Sequence, residues 1–226
     1  MKKFLLLAAS ASVIATPAAA QDVSPFAGPY VGVQVGYANL EDEHDDLDYW
    51  YDNFQNFRES DSSLIGGIRA GYDAQLGGGF LIGALGEISL TDLDTVGAVR
   101  PDDDTYEIGA KIKHLGSIRG KLGYTSGNLA VYGTAGFAFA NIKHHMEDID
   151  GTSEGYDRKG DRSGVAFGLG AAFAINANSR VGFEVNQYDF GSRKHEVIDE
   201  DGDATDYFFR QEDRVRTAVI TYSFGF

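Results

Sequence analysis

The sequence predicts an all-β protein, an eight-stranded antiparallel up-and-down transmembrane β-barrel, and three observations carry that expectation. The first is the carboxy terminus. Ala218, Ile220, Tyr222, Phe224 and Phe226 share one face of a strand while Thr217, Thr221, Ser223 and Gly225 share the other, because strand side chains alternate with period two. One face suits lipid, the other a polar interior. The second is the amino terminus, where Met1-Lys2-Lys3, an apolar run from Phe4 to Ile14 and the small residues around Ala18 and Ala20 have the make-up of a secretory leader. The third is a strict exchange of short and long connections between alternating segments.

The apolar run of the leader is shorter than the ~20 residues a permanent membrane helix needs, so residues 1–20 are read as a signal peptide and residues 21–226 as a single barrel domain. No other stretch is apolar enough for a membrane helix. An exported chain of this kind belongs in the periplasm or the outer membrane. The absence of cysteine rules out a disulfide scaffold or a thiolate metal site. Removing Lys2 and Lys3 from the 19 basic residues leaves 17 against 34 acidic ones, which speaks against nucleic acid as a partner. The 29 glycines, 15 phenylalanines and 12 tyrosines, beside only four prolines, suit closely packed strands with aromatic girdles at the membrane interfaces.

The first strand is expected over 30–40, with Val31, Val33, Val35 and Tyr37 on one face and Gly32, Gln34, Gly36 and Ala38 on the other. Seven more follow near 63–74, 80–91, 110–126, 129–142, 163–175, 180–191 and 214–226. Each reaches the ~9–11 residues that a tilted membrane strand requires. Leu76-Gly77-Gly78-Gly79, Ser126-Gly127-Asn128 and Asn176-Ala177-Asn178-Ser179 read as hairpin turns, being rich in residues that tolerate positive φ. The segments 41–62, 92–109, 143–162 and 192–213 read as long polar loops and hold 29 of the 34 acidic residues. Short turns at one end and long loops at the other match periplasmic and extracellular sides of an outer-membrane barrel.

Parity also places charge. In the sixth strand Val165, Phe167, Leu169, Ala171, Phe173 and Ile175 form a lipid-type face against Gly164, Ala166, Gly168, Gly170, Ala172 and Ala174. The same parity turns Arg69, Glu87, Arg119, Lys121 and Glu184 inward, and a hairpin centred near Gly78 sets Arg69 opposite Glu87. Arg or Lys on the lipid face at mid-bilayer costs ~2–4 kcal/mol. An eight-stranded barrel is only wide enough to be filled by side chains, so these five are expected to form a luminal ion-pair network. Tyr30, Tyr37, Tyr124, Tyr222 and Phe226 are expected to anchor the interfaces.

The motifs Gly28-Pro29-Tyr30-Val31-Gly32-Val33-Gln34-Val35-Gly36-Tyr37, Val131-Tyr132-Gly133-Thr134-Ala135-Gly136-Phe137-Ala138, Phe183-Glu184-Val185-Asn186-Gln187-Tyr188-Asp189-Phe190-Gly191 and Tyr222-Ser223-Phe224-Gly225-Phe226 give the chain its resemblance to the porin-like outer-membrane β-barrel family of alphaproteobacterial surface antigens. It is similar in form to opacity-type and OmpA-type eight-stranded barrels. The resemblance implies an outer-membrane location and makes Tyr222, Phe224 and Phe226 a signal for the outer-membrane assembly machinery. None of these motifs is catalytic.

Other chemistry is weakly supported. Asp199-Glu200-Asp201-Gly202-Asp203-Ala204-Thr205-Asp206 has alternating carboxylates, but its glycine is fourth rather than sixth and no glutamate closes the loop, so it reads as a solvated acidic loop and not a calcium site. His44, His144, His145 and His195 lack the spacing of a ligand motif for metal or haem. His114 and Ser117 have opposite parity and make a poor hydrolase pair. No cofactor, metal or catalytic residue is assigned. The sequence reads as a monomeric structural barrel that contributes to envelope integrity, contacts outer-membrane lipid and lipopolysaccharide, and displays acidic loops. The alternatives are a small porin with a narrow ion pathway, and an adhesin or receptor binding an unidentified extracellular ligand through Trp50, Tyr51, Phe54 and Phe57.

Overall fold

The computed structural model describes residues 24–46, 57–99, 106–148, 156–198 and 204–226. Eight strands, β1 (Gly28–Asp46), β2 (Phe57–Gln75), β3 (Phe80–Val99), β4 (Tyr106–Ser126), β5 (Leu129–Asp148), β6 (Tyr156–Ala174), β7 (Ser179–Ile198) and β8 (Ala204–Gly225), close into one barrel in chain order. Every neighbouring pair is antiparallel, and β1 completes the ring against β8. The three short connections lie where the turn residues predict them. Gly78 at φ 78° and Gly127 at φ 58° adopt the left-handed backbone that tight hairpins need and that glycine enters at little cost.

Alternation sorts the side chains as expected. Val31, Val33, Val35, Phe167, Leu169, Phe173, Ile220 and Phe224 are exposed on the outer wall, where lipid covers them. Gln34, Thr217, Thr221 and Ser223 are buried inside. Tyr37, Tyr124, Tyr222 and Phe226 stand on the outer face, where the expected interface anchors must lie, but Tyr30 does not. It shares parity with Gly32 and Gln34, so it points into the lumen and is only 3% exposed.

The strands are longer than the sequence pattern indicates. Most of 41–62, 92–109, 143–162 and 192–213, expected as loops, continues as paired strand, so each hairpin rises well beyond the lipid band. β1 runs nine residues past Tyr37, about 30 Å at the usual rise per residue. Outside the membrane the outward positions face water and accept charge, which blurs the apolar signal on that face. The inward signal persists: Leu40 stands in register with Val215, and Leu93, Ile112 and Ile142 are successive register neighbours. All five are essentially inaccessible to solvent.

Above the lipid band the barrel parts into two four-stranded sheets. The β4–β5 and β8–β1 ladders continue to Tyr106↔Asp148 and Asp46↔Phe209. The β2–β3 ladder stops at Ile65↔Thr91 and the β6–β7 ladder at Val165↔Asp189, although all four strands go on. Each divergence begins at a bulge, and bulges bend a strand and increase its twist. On β3 the register against β4 shifts between Leu90 and Leu93; on β7 the register against β8 shifts between Asp189 and Ser192. Gly191 has φ 67°, and Asp189 Oδ1 accepts its N–H at 2.9 Å. The two sheets, β7-β8-β1-β2 and β3-β4-β5-β6, pack their inner faces together through Leu40, Ile65, Phe190 and Val215 on one side and Leu93, Ile112, Leu115 and Ile142 on the other. This is a small sandwich standing on a barrel.

This arrangement makes Leu93 a sensitive position. Leu93→Ala should cost about 2–5 kcal/mol as a buried large-to-small change, read from urea unfolding of the protein in liposomes. A residue in a solvated loop, as the sequence pattern implies for position 93, would give a change near zero.

Candidate functional site

The lumen is filled in layers. At the turn end Phe26, Leu81, Ala130, Tyr132 and Ala174 form an apolar plug. At the other end the sandwich core closes the passage. Between them lie the charges, and all five residues expected to face inward do so: Arg69, Glu87, Arg119, Lys121 and Glu184 are each buried.

The register of β2 and β3 sets Arg69 opposite Glu87 as expected. The tight ion pairs nonetheless run across the lumen. Arg69 Nη2 lies 2.8 Å from Glu184 Oε1 and 3.9 Å from Glu87 Oε2. Arg119 Nη2 lies 2.8 Å from Glu87 Oε2 and 3.6 Å from Glu184 Oε2. Two cations and two anions therefore alternate in a compact quartet, so each carboxylate sees both guanidinium groups. Charges taken out of water need such opposite neighbours and hydrogen bonds to their remaining lone pairs.

A polar shell supplies such bonds to one oxygen of each carboxylate, while Glu87 Oε2, Arg69 Nε and Arg119 Nε have no hydrogen-bond partner among the described residues. Tyr132 Oη donates to Glu184 Oε1 at 2.8 Å, while Tyr188 Oη and Ser117 Oγ donate to Glu87 Oε1 at 2.7 and 2.9 Å. Arg119 Nη1 donates to Thr134 Oγ1 at 2.9 Å and to Asn186 Oδ1. Asn186 in turn donates to Thr217 Oγ1 at 3.3 Å. The small inner face of β6 makes room for this shell. A Cβ at Gly168 would run into Asn186, Arg119 and Thr134, and one at Gly170 would come within 2.8 Å of Tyr132 and Glu184.

A second cluster sits nearer the turns. Asp73 Oδ2 accepts from Lys121 Nζ at 3.0 Å and from Arg180 Nη1 at 3.1 Å. Lys121 Nζ also donates to Tyr30 Oη at 3.0 Å and lies 4.8 Å from the centroids of both the Tyr30 and Tyr132 rings. The Arg180 guanidinium stacks 4.7 Å from the Tyr30 ring centroid. Cation–π contacts of this kind gain weight where water is excluded.

The sequence reading missed Asp73, Arg180, Tyr30, Tyr132 and Tyr188 as members of the interior. Parity could have found them, since Asp73 lies four residues from Arg69 and Arg180 four residues from Glu184 on the same face. Of the expected recognition surface, Trp50, Tyr51 and Phe54 lie outside the described residues, and Phe57 opens β2 with its side chain likewise outside them. Tyr222, Phe224 and Phe226 line the outer wall of the last strand, and the Phe226 N–H reaches Pro29 O at 3.2 Å. His114 is exposed on the outer wall while Ser117 is buried in the lumen, so the two do face opposite ways. Among the described residues no three histidine or acidic side chains gather into a metal site.

Glu87→Ala should destabilise the barrel by about 3–5 kcal/mol, because it leaves the buried Arg119 without its nearest anion; equilibrium unfolding in liposomes measures it. Gly168→Ala should cost about 1–3 kcal/mol through overpacking against the same arginine. Ala135→Gly on the outer wall, next to no luminal charge, serves as the contrasting control.

A protein-family profile described as the outer membrane protein β-barrel domain matches residues 6–226. The 31 kDa outer-membrane immunogenic proteins of Brucella melitensis biotype 1 and Brucella suis biovar 1 are each 30% identical to the chain over 224 residues, covering 87% of it and 91% of the relative. Among solved structures, the outer membrane protease OmpT of Escherichia coli superimposes with a TM-score of 0.53 at 8% identity, over 88% of this chain and 97% of that one. That likeness concerns the fold alone.

Proposed function

Because the chain belongs to the outer membrane protein β-barrel family and resides in the bacterial outer membrane, we propose that it serves there as a closed structural barrel that strengthens the envelope and holds two acidic β-sheets above the lipid. One observation carries this reading: the lumen holds the Arg69, Arg119, Glu87 and Glu184 quartet between an apolar plug at each end. A conducting pore needs water and an open path along its axis. Here the axis is filled by paired charge and packed hydrocarbon. The porin reading is therefore the weaker of the two, and a catalytic role finds no support in the separation of His114 from Ser117.

The acidic extensions also define how the protein meets its surroundings. Glu41, Asp42, Glu43, Asp45 and Asp46 all lie on the raised part of β1, where divalent cations would bridge them to the anionic groups of lipopolysaccharide. The last strand is the contact offered to the assembly machinery through Tyr222, Phe224 and Phe226.

In planar lipid bilayers the purified protein should show no steady conductance; a stable, cation-selective current would overturn the closed-lumen reading and favour the porin. Deleting Phe226 should lower the amount of protease-resistant barrel in the outer membrane. Unchanged levels would separate that residue from assembly.

A further inference from the structure

The lumen does not balance its own charge. Among the described residues, the buried luminal charges below the raised sheets are Arg69, Arg119, Lys121 and Arg180 against Asp73, Glu87 and Glu184. Four positive charges minus three negative ones leave an excess of one. The Arg162–Asp213 pair, in the raised part, adds one charge of each sign and leaves that difference unchanged.

The excess has a definite place. In the quartet each carboxylate meets both guanidinium groups, whereas near the turns Asp73 alone serves two cations, Lys121 Nζ at 3.0 Å and Arg180 Nη1 at 3.1 Å. Among the described residues no other carboxylate lies within ion-pair distance of either cation. Asp73 meets both through Oδ2. Its Oδ1 is turned against β3, where a Cβ at Gly83 would strike it. The ring faces of Tyr30 and Tyr132 beside Lys121 attract the cation but carry no net charge. A buried charge without a counter-charge is strongly disfavoured.

Beside these cations lies a cavity of about 20 Å³, walled by Arg69, Lys121, Arg180, Thr221 and Ser223 among others and bounded by Phe26. A site needs only ~10–15 Å³ to admit one water-sized group. The arginines that line it carry N–H groups with no acceptor: Nε and Nη2 of Arg180, which is 5% exposed, and Nε of Arg69, which is 4% exposed. Lys121 Nζ has three hydrogens, and Tyr30 Oη and Asp73 Oδ2 take two of them. Thr221 and Ser223 add hydroxyl donors to the same wall. The surroundings therefore lack both an acceptor and a negative charge. Water supplies the first and not the second; an anion supplies both. Size narrows the choice to a bare halide, because carboxylates, sulfate and phosphate have too many atoms for the space.

We propose that the lumen binds one chloride ion beside Lys121 and Arg180, and that this ion completes the charge balance of the barrel. Phe26 separates the site from the turn end, with its carbonyl accepting from Arg180 Nη1 at 3.3 Å, so the same arginine holds the ion and the segment that covers it. The site presupposes a closed lumen. Bilayer conductance tests that closure, and halide binding tests the site, so either can fail alone.

Bromide substitutes for chloride and scatters anomalously. Crystals of the protein grown with bromide should show an anomalous peak inside the barrel beside Lys121 and Arg180. In detergent micelles the midpoint of thermal unfolding, followed by circular dichroism, should rise by roughly 5–10 °C when saturating chloride replaces gluconate at constant ionic strength. Gluconate is too large for the cavity. Arg180→Met and Lys121→Met each remove one of the two cations and leave Asp73 the other, so each should abolish the chloride-dependent shift, and either serves if the other does not fold. Lys113→Met removes an exposed cation on the outside and should keep the shift in full. The proposal fails if bromide gives surface peaks alone or none, if a water molecule occupies the cavity instead, if chloride and gluconate give the same midpoint, or if the luminal methionine variants keep the shift.

Discussion

The fold depends on neutralising four charges inside a tube too narrow for bulk water to solvate them. Arg69, Arg119, Glu87 and Glu184 come from four different strands, β2, β4, β3 and β7, and each ion is within 3.9 Å of both ions of opposite sign. Removing any one leaves a buried charge uncompensated, which is why such groups are far more costly broken than they are stabilising intact. The quartet therefore ties the barrel's register across its full width. A slip of one residue in any of these strands would turn its charge into lipid.

Other features follow from that constraint. The inner face of β6 is made of glycine and alanine because Arg119, Asn186 and Tyr132 occupy the space a larger side chain would take. Tyr132 and Tyr188 supply the hydroxyls that the carboxylates need from opposite ends of the layer, and their rings belong to the apolar plugs above and below. The same two tyrosines thus join the polar layer to the hydrocarbon that seals it. The Asp73, Lys121 and Arg180 cluster repeats the principle closer to the turns, with the Tyr30 ring packed against both cations.

Outside the membrane the constraint changes. Water reaches the outer face of every strand, so closure is no longer required to satisfy each backbone group. Bulges at Leu90–Leu93 and Asp189–Ser192 take advantage of that freedom and open two of the four ladders between hairpins. Hydrocarbon is the main filling between the resulting sheets, joined by the buried Arg162–Asp213 ion pair at 3.1 Å. The raised strands carry acidic residues such as Glu41, Asp61, Asp92 and Asp94, and among the described residues the β2–β3 and β6–β7 ladders end before their strands do.

Period-two alternation is a local property, and the sequence by itself determined what depends on it: eight strands, the inward and outward faces of their membrane-embedded parts with Tyr30 the exception, the inward direction of Arg69, Glu87, Arg119, Lys121 and Glu184, and the position of all three short turns. Asp73, Arg180 and Tyr132 were legible by the same rule. The tertiary structure alone decided which charge meets which. Arg69 faces Glu87 in the ladder yet binds Glu184, 115 residues away, because barrel closure brings β7 across a lumen narrow enough for the side chains to touch. It also decided how far the strands rise and where they part. Once a strand leaves lipid its outer face loses the apolar signal, and the partner of an edge depends on bulges and twist in two strands at once, which neither strand's own pattern encodes.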